Sequence, residues 1–293
     1  MATHRTFTRA LVAGLIFIMF LTVFAANSQA RDQAVQIKGG QEAPRFAYPW
    51  MVALVTMGSS PAEDTFCGGV LIAPSWVVTA AHCVKGVHDS DFRVILGLHN
   101  LRTDVGQERF VAYRGIYCYH RIDCNSDDGD IALIKVVYPF NIDTSTLPRV
   151  SSSVVPIGSF GKTMGWGLKV PSVPASQEQL LYEVDLPIVD RSTCDKAFKT
   201  AIPPAVCPQP DDYFDVTPNM ICAGLAPAST PQQGKDACEG DSGGPLIVQE
   251  SGQWKLVGIT SWGAPCNCPA IYAVFTDVSK FKSWIDCILG GGQ

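Results

Sequence analysis

The amino-acid sequence predicts an all-β protein, on the evidence of short apolar segments, the turn residues between them and one terminal helical pattern. β-Branched, apolar segments such as GGVLI, WVVTA, FRVIL and IALIKVV recur along the chain, and Gly, Pro, Asn and Asp separate them. Short strands joined by turns are typical of β-barrels and β-sandwiches. A helical pattern is clear only at the end, where the apolar residues follow the spacing of an amphipathic helix: Phe281, Trp284, Ile285, Ile288 and Leu289.

The composition indicates a folded, acidic protein. A chain of 293 residues is long enough for one large domain or two small ones with a buried core. Hydrophobic residues make up 47% and charged residues only 17%, which argues against disorder. The net charge of −5 excludes a strongly basic surface for nucleic acid. Residues 141–158 are rich in Ser and Pro and lack periodicity, so they are the candidate linker near the middle of the chain.

Residues 1–30 have the layout of a secretory signal peptide. Arg5 and Arg9 precede an apolar run at residues 10–26, and the small residues Ser28 and Ala30 follow. The alternative is a signal anchor, but the run is slightly short for a membrane span, so cleavage near Ala30 is the preferred interpretation. Secretion would place the 11 cysteines in an oxidising compartment, where most are paired. Because their number is odd, at least one is free or pairs with another chain.

Three separate segments carry the side chains of nucleophilic catalysis. VVTAAHC contains His82, DDGDIALIKV contains Asp130, and CEGDSGGPL contains Ser242 in a Gly-rich turn. A serine hydroxyl needs an adjacent base, His can accept its proton near neutral pH, and Asp can fix the tautomer of the His. Each segment alone has a structural explanation. Together they predict a triad of His82, Asp130 and Ser242, with the amides of Gly240 and Ser242 as the oxyanion hole.

These segments resemble the motifs of trypsin-like serine endopeptidases, which have the chymotrypsin fold. The resemblance rests on WVVTAAHC, DIALIK, GWG at 165–167, NMICAG at 219–224, GDSGGP at 240–245 and SWG at 261–263, in the order His, Asp, Ser. It implies two six-stranded antiparallel β-barrels, with the active site in the cleft between them and a C-terminal helix. The barrels would occupy about residues 37–150 and 151–278, and the helix about 279–289, of a peptidase domain at 37–293.

The resemblance also implies a pocket for a basic side chain. Asp236, six residues before Ser242, lies at the base of the primary pocket in this family, and a buried carboxylate prefers a cation. The expected walls are Ala237, Ser261, Trp262, Gly263 and Ala273. Ala237 replaces a serine that often helps to bind Lys, so Arg should be favoured. Ala273 stands where Gly is usual, and a badly fitting methyl group typically costs about 1–3 kcal/mol of substrate binding.

The segment at 37–40, IKGG, resembles the start of the mature chain in this family. The resemblance implies that the freed α-amine of Ile37 pairs with Asp241, which leaves residues 31–36 as a short pro-segment. Gln36 stands where Arg or Lys normally marks the cut. We therefore expect a different protease, or stepwise trimming, rather than self-activation.

The family pattern implies three disulfides: Cys67–Cys83, Cys194–Cys222 and Cys238–Cys266. Cys207–Cys268 and Cys118–Cys124 are further candidate pairs that leave Cys287 over, and the alternative joins Cys118 to Cys287 and leaves Cys124 free. The loop at 97–110 resembles a calcium loop and keeps Glu108. Because Leu98 replaces its first carboxylate, we expect no strong calcium site. No metal or cofactor is expected.

The sequence therefore predicts a secreted, extracellular serine endopeptidase that is made as a zymogen and cleaves after Arg or Lys. Its expected partners are protein or peptide substrates and protein inhibitors, with no nucleic acid, no membrane after signal cleavage, and a monomeric state. The alternative is a catalytically weak or silent protease-like binding or inhibitory protein, which is less favoured because all three triad residues are present. A lipase-type hydrolase is disfavoured, since its residue order and G-x-S-x-G elbow are absent.

Overall fold

The computed structural model describes residues 39–120, 124, 128–167, 179–200, 215–225, 240–263 and 272–291. Its strands are β1 (Gln41–Glu42), β2 (Met51–Thr56), β3 (Thr65–Ala73), β4 (Trp76–Thr79), β5 (Phe92–Leu96), β6 (Gln107–Cys118), β7 (Ala132–Val136), β8 (Arg149–Val150), β9 (Phe160–Gly165), β10 (Tyr182–Val189), β11 (Met220–Ala223), β12 (Pro245–Glu250), β13 (Gln253–Gly263) and β14 (Ala273–Asp277). The described helices are α1 (Pro61–Asp64), α2 (Arg191–Thr200) and α3 (Lys282–Leu289), with 3₁₀ helices at Ala81–Val84, Thr144–Thr146 and Val278–Lys280. Within these ranges, each helix is too short or too polar to cross a membrane.

The first barrel is a closed antiparallel sheet in the order β2-β3-β4-β7-β6-β5. Its strands are built from the apolar, β-branched segments, and MVALVT and FRVIL are buried along almost their whole length. Leu54, Phe92 and Leu133 are among the large side chains that fill the interior. Irregular register in β3 and β6 bends these strands, as closing a small barrel requires.

The second barrel closes in the order β9-β10-β11-β14-β13-β12, because β12 pairs back to β9. Leu186, Leu246 and Phe275 are fully buried in its interior. Both barrels therefore have six antiparallel strands, and α3 follows the second, which confirms the predicted fold class.

The segments that enter and leave the first barrel are both bound to the second. β1 pairs with β10, and β8 pairs in parallel with β13. The amide of Ser151 donates to the carbonyl of Leu256 at 2.9 Å, so much of the candidate linker at 141–158 is attached to the second barrel. These contacts hold the two barrels against each other.

Helix α2 was not predicted from the sequence. Only Cys194 and Phe198 of this helix are buried, so it has no continuous apolar stripe. Asp190 precedes it and its carboxylate accepts a hydrogen bond from the amide of Thr193 at 3.1 Å, which is the geometry of an N-cap. The sequence therefore indicated this helix by its capping residue, Asp190, and not by a regular spacing of apolar residues. The disulfide between Cys194 and Cys222 attaches the helix to β11.

Candidate active site

His82 lies in the 3₁₀ turn that follows β4. Ala81, Cys83 and Val84 are buried, whereas the His82 side chain is 42% exposed. Cys83 is bonded to Cys67 of β3, which anchors the turn to the first barrel. The buried neighbours thus fix the backbone and leave the imidazole at the surface.

Asp130 is the partner of His82. One oxygen of its buried carboxylate lies 2.7 Å from His82 Nδ1, and the other accepts the backbone amide of His82 at 2.8 Å. Because an ionised carboxylate only accepts hydrogen bonds, Nδ1 carries the proton that faces Asp130, and Nε2 is the ring nitrogen expected to act as the base. Burial raises the pKa of Asp130, but hydrogen bonds from His82 and Ser261 outweigh it and hold that pKa below its usual range.

Ser261 and Thr276 of the second barrel also hold Asp130. The Ser261 hydroxyl donates to Asp130 Oδ2 at 2.6 Å, and the Thr276 hydroxyl donates to the Asp130 carbonyl at 2.8 Å. Sequence reasoning assigned Ser261 only to the pocket wall and did not find Thr276. No local pattern could have shown either contact, since the partners are 131 and 146 residues apart.

Ser242 lies in a tight turn that touches both barrels. The amide of Gly244 donates to the carbonyl of Asp241 at 2.9 Å, and the amide of Gly68 in β3 donates to the carbonyl of Ser242 at 2.8 Å. Gly240 has a φ of +91°, a conformation that favours glycine. The amides of Gly240 and Ser242 make no hydrogen bond to any residue in the described ranges, and their role as the oxyanion hole stays a prediction.

Asp241, the expected partner of the Ile37 amine, is buried beside Ser242 and is 1% exposed. Its Oδ1 accepts the amide of Gly167 at 2.9 Å. A Cβ at Gly165 would approach this oxygen to 2.1 Å, so the glycines of the GWG motif make room for the carboxylate. Ile37 lies outside the described residues.

The candidate pocket is described only in part. Asp236 and Ala237 lie outside the described residues, whereas Ser261, Trp262 and Gly263 end β13. Trp262 packs against Phe198 with ring centroids 4.9 Å apart.

Ala273, an expected residue of the pocket wall, is buried at the start of β14. Its side chain is 1% exposed and packs in the interior of the second barrel with Phe275 and Ala223. Because alternate residues of a strand face opposite sides, Ala273 shares the core-facing side of β14 with Phe275. The role of Ala273 in the pocket wall stays a prediction, because Asp236 and Ala237 lie outside the described residues.

Three disulfides are present among the described residues: Cys67–Cys83, Cys118–Cys124 and Cys194–Cys222. Cys287 has a free, exposed thiol, so the structure does not contain the alternative pairing of Cys118 with Cys287. Four cysteines lie outside the described ranges: Cys207, Cys238, Cys266 and Cys268. The sulfurs of Cys67 and Cys83 lie near His82, but they are bonded to each other and offer no thiolate to a metal.

The loop at 97–110 is held by contacts within the protein. Leu98 is buried, and the Glu108 carboxylate lies 3.1 Å from Arg93 Nε. The Asp104 carboxylate accepts the amides of His99 at 2.8 Å and Asn100 at 2.9 Å, and its other oxygen pairs with Arg45. Asp104 is thus hydrogen-bonded within the protein, and Glu108 forms an ion pair with Arg93.

Comparisons with known proteins agree with this geometry. A family model described as Trypsin matches residues 37–285. Human mannan-binding lectin serine protease 1 is 32% identical over 89% of this chain. The matched region covers only 36% of the length of that relative. Coagulation factor IX of Oryctolagus cuniculus is 32% identical over 88% of this chain and 86% of its own length. Human kallikrein-14 is 32% identical over 89% of this chain and 87% of its own length.

Proposed function

The chain belongs to the trypsin family of serine proteases, and we propose that it is a secreted serine endopeptidase that cleaves peptide bonds after Arg or Lys. The observation that carries this proposal is the contact of 2.7 Å between His82 Nδ1 and Asp130, beside a Ser242 turn that is hydrogen-bonded to the first barrel. A peptidase domain at 37–293 would follow the signal peptide and the pro-segment.

The proposed mechanism assigns one step to each group. Ser242 Oγ attacks the scissile carbonyl while His82 Nε2 takes its proton, and Asp130 stabilises the imidazolium that forms. The amides of Gly240 and Ser242 stabilise the oxyanion of the tetrahedral intermediate. His82 then protonates the leaving amine, which leaves an acyl group on Ser242. Water, activated by His82, hydrolyses that acyl-enzyme.

Substrate selection is proposed to depend on Asp236. A carboxylate at the base of a closed pocket favours a cationic side chain, and Arg can bind it bidentately. Gly263, the last residue of β13, supports access for a long substrate side chain. Even a Cβ built on Gly263 would make only ordinary contacts of 3.5 Å or more. We expect Arg to be preferred to Lys, since Ala237 supplies no hydroxyl for the ammonium group.

Activation is proposed to follow a cut after Gln36. The freed amine of Ile37 would pair with Asp241, whose carboxylate is buried beside the nucleophile. A trypsin-like enzyme does not cut after Gln, so we expect a protease of another specificity, or stepwise trimming of residues 31–36, to expose Ile37. N-terminal sequencing of active protein tests this step, and full activity with an intact Arg31 or Asp32 start would contradict it.

A fluorogenic peptide assay tests the catalytic proposal. Protein processed to Ile37 should hydrolyse Arg substrates faster than Lys substrates, and Ser242→Ala should remove this turnover. Predominant cleavage after aromatic residues would refute the role of Asp236. If processed protein shows no turnover that depends on Ser242, the alternative of a catalytically silent binding protein is favoured.

A further inference from the structure

The segment between β6 and β7, which carries Asp130, also contacts the second barrel through Asp128. Asn219 Nδ2 donates to both carboxylate oxygens of Asp128, at 3.0 and 3.1 Å. The Thr217 hydroxyl donates to Asp128 Oδ1 at 2.5 Å. Thr217 and Asn219 directly precede β11, so these bonds join the two barrels.

A short turn held by two hydrogen bonds links Asp128 to Asp130. His120 Nε2 donates to the carbonyl of Asp128 at 2.8 Å, and the amide of Ile131 donates to the carbonyl of Gly129 at 2.8 Å. Gly129 has a φ of +96°, and a Cβ there would lie only 3.0 Å from His120 Nε2. Because only Gly129 separates the two aspartates and these hydrogen bonds hold the turn, we expect a movement of Asp128 to displace Asp130.

The contacts of both aspartates converge on one pair of strands. The carbonyl of Asn219 accepts the amide of Asp277 at 2.8 Å, and Thr276, which holds the Asp130 carbonyl, precedes Asp277 in β14. Met220 pairs directly with Thr276 in the β11–β14 ladder. The aspartate segment is therefore attached at two points to a single rigid part of the second barrel.

We propose that Asp128 is a positioning residue: its carboxylate holds the Asp130 segment on the second barrel and so aligns His82 with Ser242. This inference rests on the proposed function. Asp128 is exposed, so water can replace its hydrogen bonds and their net contribution to stability is small. Removing the Asp128 carboxylate should therefore affect the alignment of the triad more than the free energy of unfolding.

Kinetics of processed protein test the proposal through Asp128→Ala, Asn219→Ala and the double variant. We expect each single change to lower kcat about three- to tenfold with KM nearly unchanged, since a full 1 Å displacement costs roughly 100-fold. Because both changes break the same contact, the double variant should lose no more than the worse single variant. Asp143→Ala, which removes another exposed carboxylate, is the matched control and should retain full activity.

Unchanged kcat in Asp128→Ala, losses that multiply in the double variant, or an effect confined to KM would each overturn the inference. A second readout does not need turnover: the NMR signal of the His82 Nδ1 proton should shift in Asp128→Ala and Asn219→Ala but not in Asp143→Ala. If wild-type protein has no activity, the proposed function fails. The NMR signal then still decides the role of Asp128, and an unshifted signal rejects it.

Discussion

Replacing Gly243 with alanine should destabilise the protein far more than the same change at Gly252. The two glycines have nearly the same backbone conformation, with φ of +77° and +78°. A Cβ at Gly252 would meet nothing within 4 Å. A Cβ at Gly243 would lie 2.1 Å from Thr79 Oγ1 and 2.5 Å from the carbonyl of Gly68. The pair therefore separates backbone strain from steric overlap.

The expected losses follow from these contacts. Strain from an L-residue in this conformation costs about 1–2 kcal/mol, partly offset by a stiffer unfolded chain, so Gly252→Ala should lose about 1 kcal/mol. Gly243→Ala adds overpacking of about 1–3 kcal/mol. It also disturbs the hydrogen bond of 2.8 Å from the Thr79 hydroxyl to the Gly68 carbonyl, worth about 1 kcal/mol. The total for Gly243→Ala is about 3–5 kcal/mol.

Urea unfolding in a Ser242→Ala background measures both losses without self-digestion. In active protein, Gly243→Ala should also lower kcat/KM by more than about 100-fold, because the nucleophile turn must shift. Gly252→Ala should leave kcat/KM unchanged. If the two variants lose the same stability within about 0.5 kcal/mol, steric contact at Gly243 does not constrain the turn and this reasoning is refuted.

Three further outcomes are expected. Asp130→Asn should lower kcat by about 10⁴-fold, the loss typical of a triad whose His takes the wrong tautomer; a loss under tenfold in steady-state kinetics would contradict its role. Burial raises the pKa of Asp104, but bonds from Asn100, His99 and Arg45 hold it below its ordinary value of 3.8. Its ionised form therefore stabilises the fold above that value, and wild type should exceed Asp104→Asn by about 1–3 kcal/mol at pH 7 in urea unfolding. That advantage should vanish as the pH falls through the lowered pKa, and a constant difference would refute the ion-pair argument. Replacing Cys118 and Cys124 by Ser should lower the unfolding free energy by about 2 kcal/mol, as expected for a short closed loop, and an unchanged value would show that the bond does not stabilise the protein.

The sequence allowed prediction of those parts of the site whose chemistry dictates residue type. A nucleophile, a base and a carboxylate in Gly-rich or buried segments identified Ser242, His82 and Asp130 as candidates. The parts decided by packing between distant strands were not found. Ser261 has no local sign that its hydroxyl lies on Asp130. At Ala273 the two-residue period of β14 was informative, because Phe275 must face the core and therefore places Ala273 there as well.

The candidate site is assembled across the two barrels, and this explains why backbone contacts matter in it as much as side chains. His82 and Asp130 come from the first barrel, and Ser242 comes from the second. The amide of Gly68 reaches the carbonyl of Ser242 only because Gly243 presents no Cβ to the Gly68 carbonyl. In the opposite direction, Ser261 and Thr276 of the second barrel bind Asp130 of the first. The segments of Asp130 and Ser242 are thus each held by the barrel to which they do not belong, so a change that separates the barrels should lower the proposed activity before it unfolds either one.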